Sequence, residues 1–231
     1  MSASTPTGVL TGTAEGTLNP GDIRELVIAG WTGRESARVE AHVRELEAAG
    51  IPRPPRTPMF YLLSAALLTT ADAITVVGPA TSGEIECLLI SRDDGLWVGL
   101  GSDHTDRALE RTSVAKSKQV CHKPAARTLW RFSDVAGHWD QLELRSFIDI
   151  DGVRTPYQSG TAAAMLPPQA LVKDLISRGG AFEPGTVMFC GTLATISAIR
   201  PSSRFEMELH DPVLGRTIRH EYRIHDRVES L

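Results

Sequence analysis

Glu84 and Glu86 stand two positions apart, immediately before the apolar run Cys87-Leu-Leu-Ile90. On a strand, side chains at this spacing share a face, with α-carbons about 6.5 to 7 Å apart, so the two carboxylates can converge on one divalent ion. Their hard oxygen donors suit magnesium, calcium or manganese. The bland reading is a solvated strand face. The apolar run sharpens the choice, because glutamates entering a buried strand need a compensating partner.

A third carboxylate lies downstream in the stretch VGLGSDHTDRALER, residues 98–111. Asp103 sits where an apolar, strand-like run breaks, and a strand end lets it turn toward the same ion. The competing reading makes Ser102 or Asp103 the cap of a helix beginning near His104, with Asp103 and Arg107 as an exposed i,i+4 pair. Asp106 is as acidic and as close, but the ligand set needs only one of the two. His104 neighbours the candidate ligand and titrates near neutrality, which suits a general base. Adjacent residues on an extended segment point to opposite faces, so packing or a supporting hydrogen bond is its other reading.

The elements that position these residues read as strands more than helices. AITVVG is a strand, PATSG a turn and EIECLLIS a second strand, and DDG turns the chain into LWVGLG. QLELRSFIDIDGVRTPYQSG reads as two strands around a DG turn, TVMFC as a strand after PG, and RFEMELHDPVLGRTIRHEYRI as a closing strand pair. PPQALVKDLISRGG has a proline start, apolar Leu171, Val172, Leu175 and Ile176, and a glycine stop, and reads as a helix. Nearer the start, IRELVIAGW reads as a short strand. A helix is expected over 34–49, with Val39, Val43, Leu46 and Ala49 on one side, ended by Gly50 and IPRPPRTP. MFYLLSAALLTT is compatible with strand or buried helix. The expected class is α+β and strand-rich, without the regular alternation of a doubly wound sheet.

With 231 residues the chain can bury one substantial core. The expected organisation is a loosely attached or disordered stretch at 1–18, a small strand-helix region and linker at 19–54, and a main domain at 55–231. A formal charge of -4 gives no electrostatic reason to expect nucleic acid or an anionic membrane as partner. Cys87, Cys121 and Cys190 form no close ligand pair and are odd in number, so they read as small hydrophobes, with Cys121-His122 as a minor ligand alternative. The N-terminus lacks the basic start and apolar core of a secretory signal, and no apolar stretch is long enough to span a bilayer; the expectation is a soluble cytoplasmic protein. No GxGxxG, Walker or GxSxG segment supports a nucleotide cofactor or a serine-hydrolase elbow.

Taken in order, these motifs resemble the fumarylacetoacetate hydrolase superfamily, in its short divergent branch known as domain of unknown function 2848. The family's E-x-E-L-A-V-V-I strand is matched by Glu84-Ile-Glu86-Cys-Leu-Leu-Ile90, and its N-D-x-S-A-R-D segment by Ser102-Asp103-His-Thr-Asp-Arg107. Its G-K-S-F-D segment resembles Ala115-Lys116-Ser-Lys118, its Q-x-x-x-T segment Gln158-Ser-Gly-Thr161, and its P-G-D-x-I-x-x-G-T-P-x-G segment residues 184–195. The similarity runs over residues 55–225. It implies a mixed β-sandwich or β-roll like the hydrolase C-terminal domain, and a homodimer. It also implies metal ligands at Glu84, Glu86 and Asp103, an active-site lysine at Lys116, and substrate contacts from Arg107, Gln158 and Thr192. Leucine follows Gly191-Thr192 where the family has proline, and the family's N-terminal catalytic histidine has no counterpart; His42 lies in the expected helix and reads as a surface residue.

The chemistry implied is hydrolysis of a C-C bond between carbonyl groups of a small oxo-carboxylic acid, assisted by magnesium or manganese, with calcium as a third candidate. Arg107 would dock the substrate carboxylate or serve as a structural ion pair. Lys116 and His104 would supply charge or a base, Lys116 being solvated surface if the register does not hold, and Thr192 a plain turn on the same terms. Two alternatives stand beside this one. The same site could serve a decarboxylase, isomerase or hydratase working through a metal-bound enolate, or the chain could be a non-catalytic metal- or carboxylate-binding or assembly protein.

Overall fold

A computed structural model describes residues 15–48, 50 and 53–227. The strands are β1 (Glu15–Thr17), β2 (Glu25–Gly30), β3 (Met59–Leu63), β4 (Leu68–Thr69), β5 (Ala73–Val77), β6 (Thr81–Ser82), β7 (Ile85–Arg92), β8 (Gly95–Ser102), β9 (Thr105–Asp106), β10 (Lys123–Pro124), β11 (Thr128–Arg131), β12 (Glu143–Ile150), β13 (Val153–Thr161), β14 (Thr186–Thr192), β15 (Arg204–Asp211) and β16 (Arg216–Arg227). The helices are α1 (Ser36–Ala48), α2 (Arg107–Glu110), α3 (Val114–Gln119), α4 (Phe132–Val135) and α5 (Pro168–Ser177). The α+β, strand-rich reading holds. MFYLLSAALLTT resolves as β3 followed by a 3-10 turn and β4.

Two sheets dominate: a seven-stranded one in the order β1-β11-β8-β7-β14-β2-β3, and a five-stranded one in the order β13-β12-β15-β16-β5. The stretch 19–54 is not set apart, since β2 lies inside the large sheet, parallel to β14 and antiparallel to β3. The expected disorder over 1–18 falls largely outside the described residues, as does the side chain of His42. No described helix is long and apolar enough to cross a membrane.

The apolar run of β7 has a simple cause. Ile85, Cys87 and Leu89 pack into the core between the two sheets, with Leu144, Tyr157, Phe205 and Tyr222 from the opposite side. Leu88 and Ile90 enter a second core on the outer face of the large sheet, with Leu26, Ile28, Val187 and Phe189. A strand buried on both faces has no polar position to alternate with. Both expected hairpins form: β7 and β8 meet at Asp93-Asp94, and β12 and β13 at Asp151-Gly152, where both turn residues have positive φ, 53° and 82°. Such a turn matches the right-handed twist of the strands it joins.

Candidate metal centre

The β7–β8 hairpin builds the site. Its register pairs Ile85 with Ser102 and Glu86 with Gly101, and one step further the Asp103 N–H donates to the Glu84 carbonyl at 2.9 Å. Asp103 therefore comes directly opposite Glu84 although 19 positions later in the chain, with Glu86 two along on the same face. One oxygen from each of the three lies within 4.8 Å of the others. Glu86 and Asp103 are buried and Glu84 is partly open.

Neighbouring elements fix each carboxylate. Glu86 Oε2 accepts from the Gly191 N–H at 2.6 Å, at the irregular end of β14. Gly191 has φ +98°, and a Cβ there would stand 1.7 Å from Thr32 Oγ1, so glycine is what allows this amide to face the carboxylate. Asp103 is free for the site because the α2 cap is Asp106, whose Oδ1 accepts from the N–H groups of Ala108 and Leu109 at 2.9 Å. Arg107, the first residue of α2, lies 3.0 Å from Glu84 Oε1 and 2.9 Å from Glu110 Oε2, and its Nε donates to Ser82 Oγ at 2.7 Å. The Glu84 contact is an ion pair without hydrogen-bond alignment, so the buried Arg107 Nη2 has a charge partner but no aligned hydrogen bond.

The lysine at the carboxylates is not the one expected. Lys116 is exposed, whereas Lys118 is buried, two residues on and roughly 200° around the helix. Its Nζ donates to Asp103 Oδ2 and lies 3.7 Å from Glu84 Oε2. A second lysine escaped the sequence reading. Lys123 is fully buried, with Nζ donating to the carbonyls of His104 and Lys118 at 2.6 Å and of Cys121 at 3.1 Å, and lying 3.2 Å from Asp103 Oδ1. Nothing in Cys121-His122-Lys123-Pro124 signals this cage; it depends on the chain folding around the ammonium.

His104 points the other way, into the core between the sheets. Nδ1 lies 3.0 Å from the Tyr222 hydroxyl and Nε2 2.9 Å from Thr81 Oγ1. Burial, helped by Lys123 and Arg107, pushes its pKa down to about 3, so the ring stays neutral. Gln158 and Thr192 are also engaged internally. Gln158 Oε1 accepts from the Ile85 N–H at 3.0 Å and Ser146 Oγ at 2.9 Å, while its Nε2 donates to Thr192 Oγ1 at 2.8 Å and the Leu193 carbonyl at 2.7 Å. Thr192 Oγ1 in turn donates to the Ile85 carbonyl at 2.7 Å. The two side chains bind β13 and β14 to the start of β7.

The electrostatics follow from crowding. Burial raises the Glu86 carboxyl well above the usual range, reinforced by Asp103 and Glu84. Burial pushes Asp103 in the same direction, but Lys118 and Lys123 outweigh it and hold it below its ordinary value. For Lys118, Asp103 and Glu84 more than offset burial and its pKa is raised; for Lys123 burial prevails and it is lowered. Three hard oxygen donors would bind a divalent cation, which would compete with protonation of Glu86.

A family model described as "Protein of unknown function (DUF2848)" matches residues 29–222. The chain belongs to this family. No curated protein matches the DUF2848 chain. Among solved structures it is similar to a 2-keto-3-deoxyarabinonate dehydratase (16% identity, TM-score 0.66, covering 89% of this chain and 75% of that one). It is also similar to yeast ynq8, a fumarylacetoacetate hydrolase family protein (18%, 0.64, 90% and 95%), and to Cg1458 (15%, 0.64, 89% and 77%). At these identities the likeness is one of fold: this DUF2848 protein has the mixed-sheet architecture of fumarylacetoacetate hydrolase proteins.

Proposed function

We propose that the protein is an enzyme that holds a magnesium or manganese ion on Glu84, Glu86 and Asp103 and acts on a small oxo-carboxylic acid. The observation that carries this reading is the convergence of three carboxylate oxygens within 4.8 Å, two of the carboxylates buried, with Lys118 against them. Buried carboxylates need compensating charge; Arg107, Lys118 and Lys123 supply it to Glu84 and Asp103, while Glu86 pairs with no side-chain cation among the described residues and would gain one from a bound ion. When bound, a divalent ion supplies Lewis-acid polarisation of a carbonyl oxygen.

The residues of the chain do the rest. Lys118, its ammonium form favoured by Asp103 and Glu84, offers a positive charge beside the carboxylates, suited to charge developing on a substrate oxygen. Arg107 holds Glu84 through one ion pair while Glu110 and Ser82 hold Arg107, so its charge is spent largely within the protein. Gln158 and Thr192 brace the Ile85 backbone. His104 has both nitrogens engaged away from the carboxylates and supplies no base.

Hydrolysis of a C-C bond between carbonyl groups remains the leading reaction, with a homodimer as the expected assembly. The engagement of both His104 nitrogens away from the carboxylates favours the second reading, in which the enzyme decarboxylates, isomerises or hydrates an oxo acid, with the Lys118 charge beside the developing enolate oxygen. The fold relative that is a 2-keto-acid dehydratase supports the same substrate class. Purified protein with added manganese should turn over or enolise oxaloacetate or an acylpyruvate, and Glu86→Gln should abolish this. Binding without turnover of any oxo acid would favour a non-catalytic module.

A further inference from the structure

Lys123 is fully buried, and the polar contacts of its ammonium among the described residues are all oxygens. The carbonyls of His104 and Lys118 stand at 2.6 Å, that of Cys121 at 3.1 Å and Asp103 Oδ1 at 3.2 Å. Backbone carbonyls gathered around one point form the kind of shell that takes the place of water around a potassium ion. Left without a cation, the same buried acceptors would go unsatisfied.

The backbone of Lys123 is pinned from outside this cage. β10 lies parallel to β4 with Lys123 opposite Leu68, the Ala125 N–H donates to the Thr69 carbonyl and the Ala126 N–H to the Leu100 carbonyl, both at 2.8 Å. The carbonyls that the ammonium collects come from other pieces of chain. His104 follows Asp103 just past the end of β8, while Lys118 and Cys121 lie at the end of α3 and just beyond it, where helix carbonyls run short of donors. The contacts close into a ring: Lys123 Nζ holds the Lys118 carbonyl, the Lys118 ammonium donates to Asp103 Oδ2, and Asp103 Oδ1 lies against Lys123 Nζ. Lys118 is thereby tied at its backbone and at its ammonium.

We propose that this cage is a monovalent-cation site of the potassium or ammonium type, which the chain fills with its own lysine, and that Lys123 is the positioning residue that holds Lys118 against Asp103. The use made of Lys118 rests on the reading of the carboxylate centre above; the cage itself is tested with no divalent ion present.

The test uses the full chain in chlorides of potassium, ammonium, lithium and tetramethylammonium at equal ionic strength. Lithium holds its water too tightly for such a cage, and tetramethylammonium has no N–H to donate. Lys123→Ala empties the cage, and potassium or ammonium should raise its Tm above the value in the other two salts by about 3 to 6 °C, the shift expected at roughly ten times the dissociation constant. The wild type, its cage full, should show no such gap. Acetylation of the lysines, read residue by residue by mass spectrometry below the Tm, follows Lys118, with exposed Lys116 as the internal control. In lithium the variant should label at Lys118 roughly tenfold faster than the wild type, the sign of an easier local opening, and potassium should reverse most of this. No gap between salts in the variant, the same gap in the wild type, or a variant that folds in none of the salts would overturn the cation cage. A recovered Tm with Lys118 labelling unchanged throughout would overturn the positioning role. Wild-type Lys123 acetylated as fast as Lys116 would overturn the cage without recourse to a variant. None of these results depends on manganese binding, whose absence would count against the metal reading alone.

Discussion

The ammonium of Lys118 donates to Asp103 Oδ2 and stands 3.7 Å from Glu84 Oε2, so it occupies the carboxylate edge that a divalent ion would share. Lys118→Met keeps the stem and removes the charge. Manganese should then bind more tightly, by roughly tenfold, since two charges about 4 Å apart interact by about 1 to 4 kcal/mol in water or near a protein surface. Turnover should fall by about 10²- to 10³-fold, the range for removing one group that stabilises charge on a reacting oxygen. Titration and steady-state assay of the same preparation check both; weaker metal binding would contradict this placement of Lys118.

Glu86 sets the pH dependence. With its folded carboxyl raised above the ordinary 4.5, the metal-free native state keeps a proton that the unfolded chain releases. This contribution to stability is fully present below about pH 4.5 and is lost as pH rises toward the raised folded value. Asp103, held below its ordinary 3.8, contributes in the opposite sense, and its share is lost as pH falls through that lower range. A divalent ion displaces the Glu86 proton, so stabilisation by magnesium should be larger at pH 8 than at pH 5.5. Thermal melts at both values decide it; a shift independent of pH would count against Glu86 as a ligand.

Gly191→Ala should be severe. The new methyl would meet Thr32 Oγ1 at 1.7 Å on a backbone of φ +98°. A loss of about 3 kcal/mol or more is expected from overpacking and backbone strain together, measurable by urea unfolding. Thr32→Ala in the same chain should recover part of it, and no recovery would place the strain elsewhere.

His104→Leu tests the assignment of that ring to structure. Thr81 and Tyr222 lose a partner, at a cost of about 1 to 3 kcal/mol, whereas manganese affinity and any turnover should stay within about threefold. A hundredfold loss of turnover in folded protein would restore His104 as a base.

Much of this was legible because it depends on local chemistry. The Asp93-Asp94-Gly95 turn announces the β7–β8 hairpin, and a tight hairpin brings its two open ends together, which is why Glu84 and Asp103 meet; the residues alone left Asp103 open between ligand and helix cap, and the family resemblance chose the ligand. Both apolar faces of β7 were visible in Cys87-Leu-Leu-Ile90. Lys118 was not, because a linear match cannot tell which of two lysines, about 200° apart on a short helix, faces inward. The Lys123 cage was invisible for a different reason: its partners are backbone carbonyls, which carry no residue identity. Gln158 and Thr192 were found by resemblance, yet only the three-dimensional hydrogen bonds show that they bind strands together. Asp106 looked interchangeable with Asp103 until the helix start fixed it as the cap.

The central claim is the metal centre. Chelator-stripped protein titrated with manganese, with free ion followed by electron paramagnetic resonance, tests it directly beside a folded Glu86→Gln variant. Near-stoichiometric binding in the wild type, lost or greatly weakened in the variant, is the predicted result. No specific binding in the wild type, or equal binding in both, would contradict it.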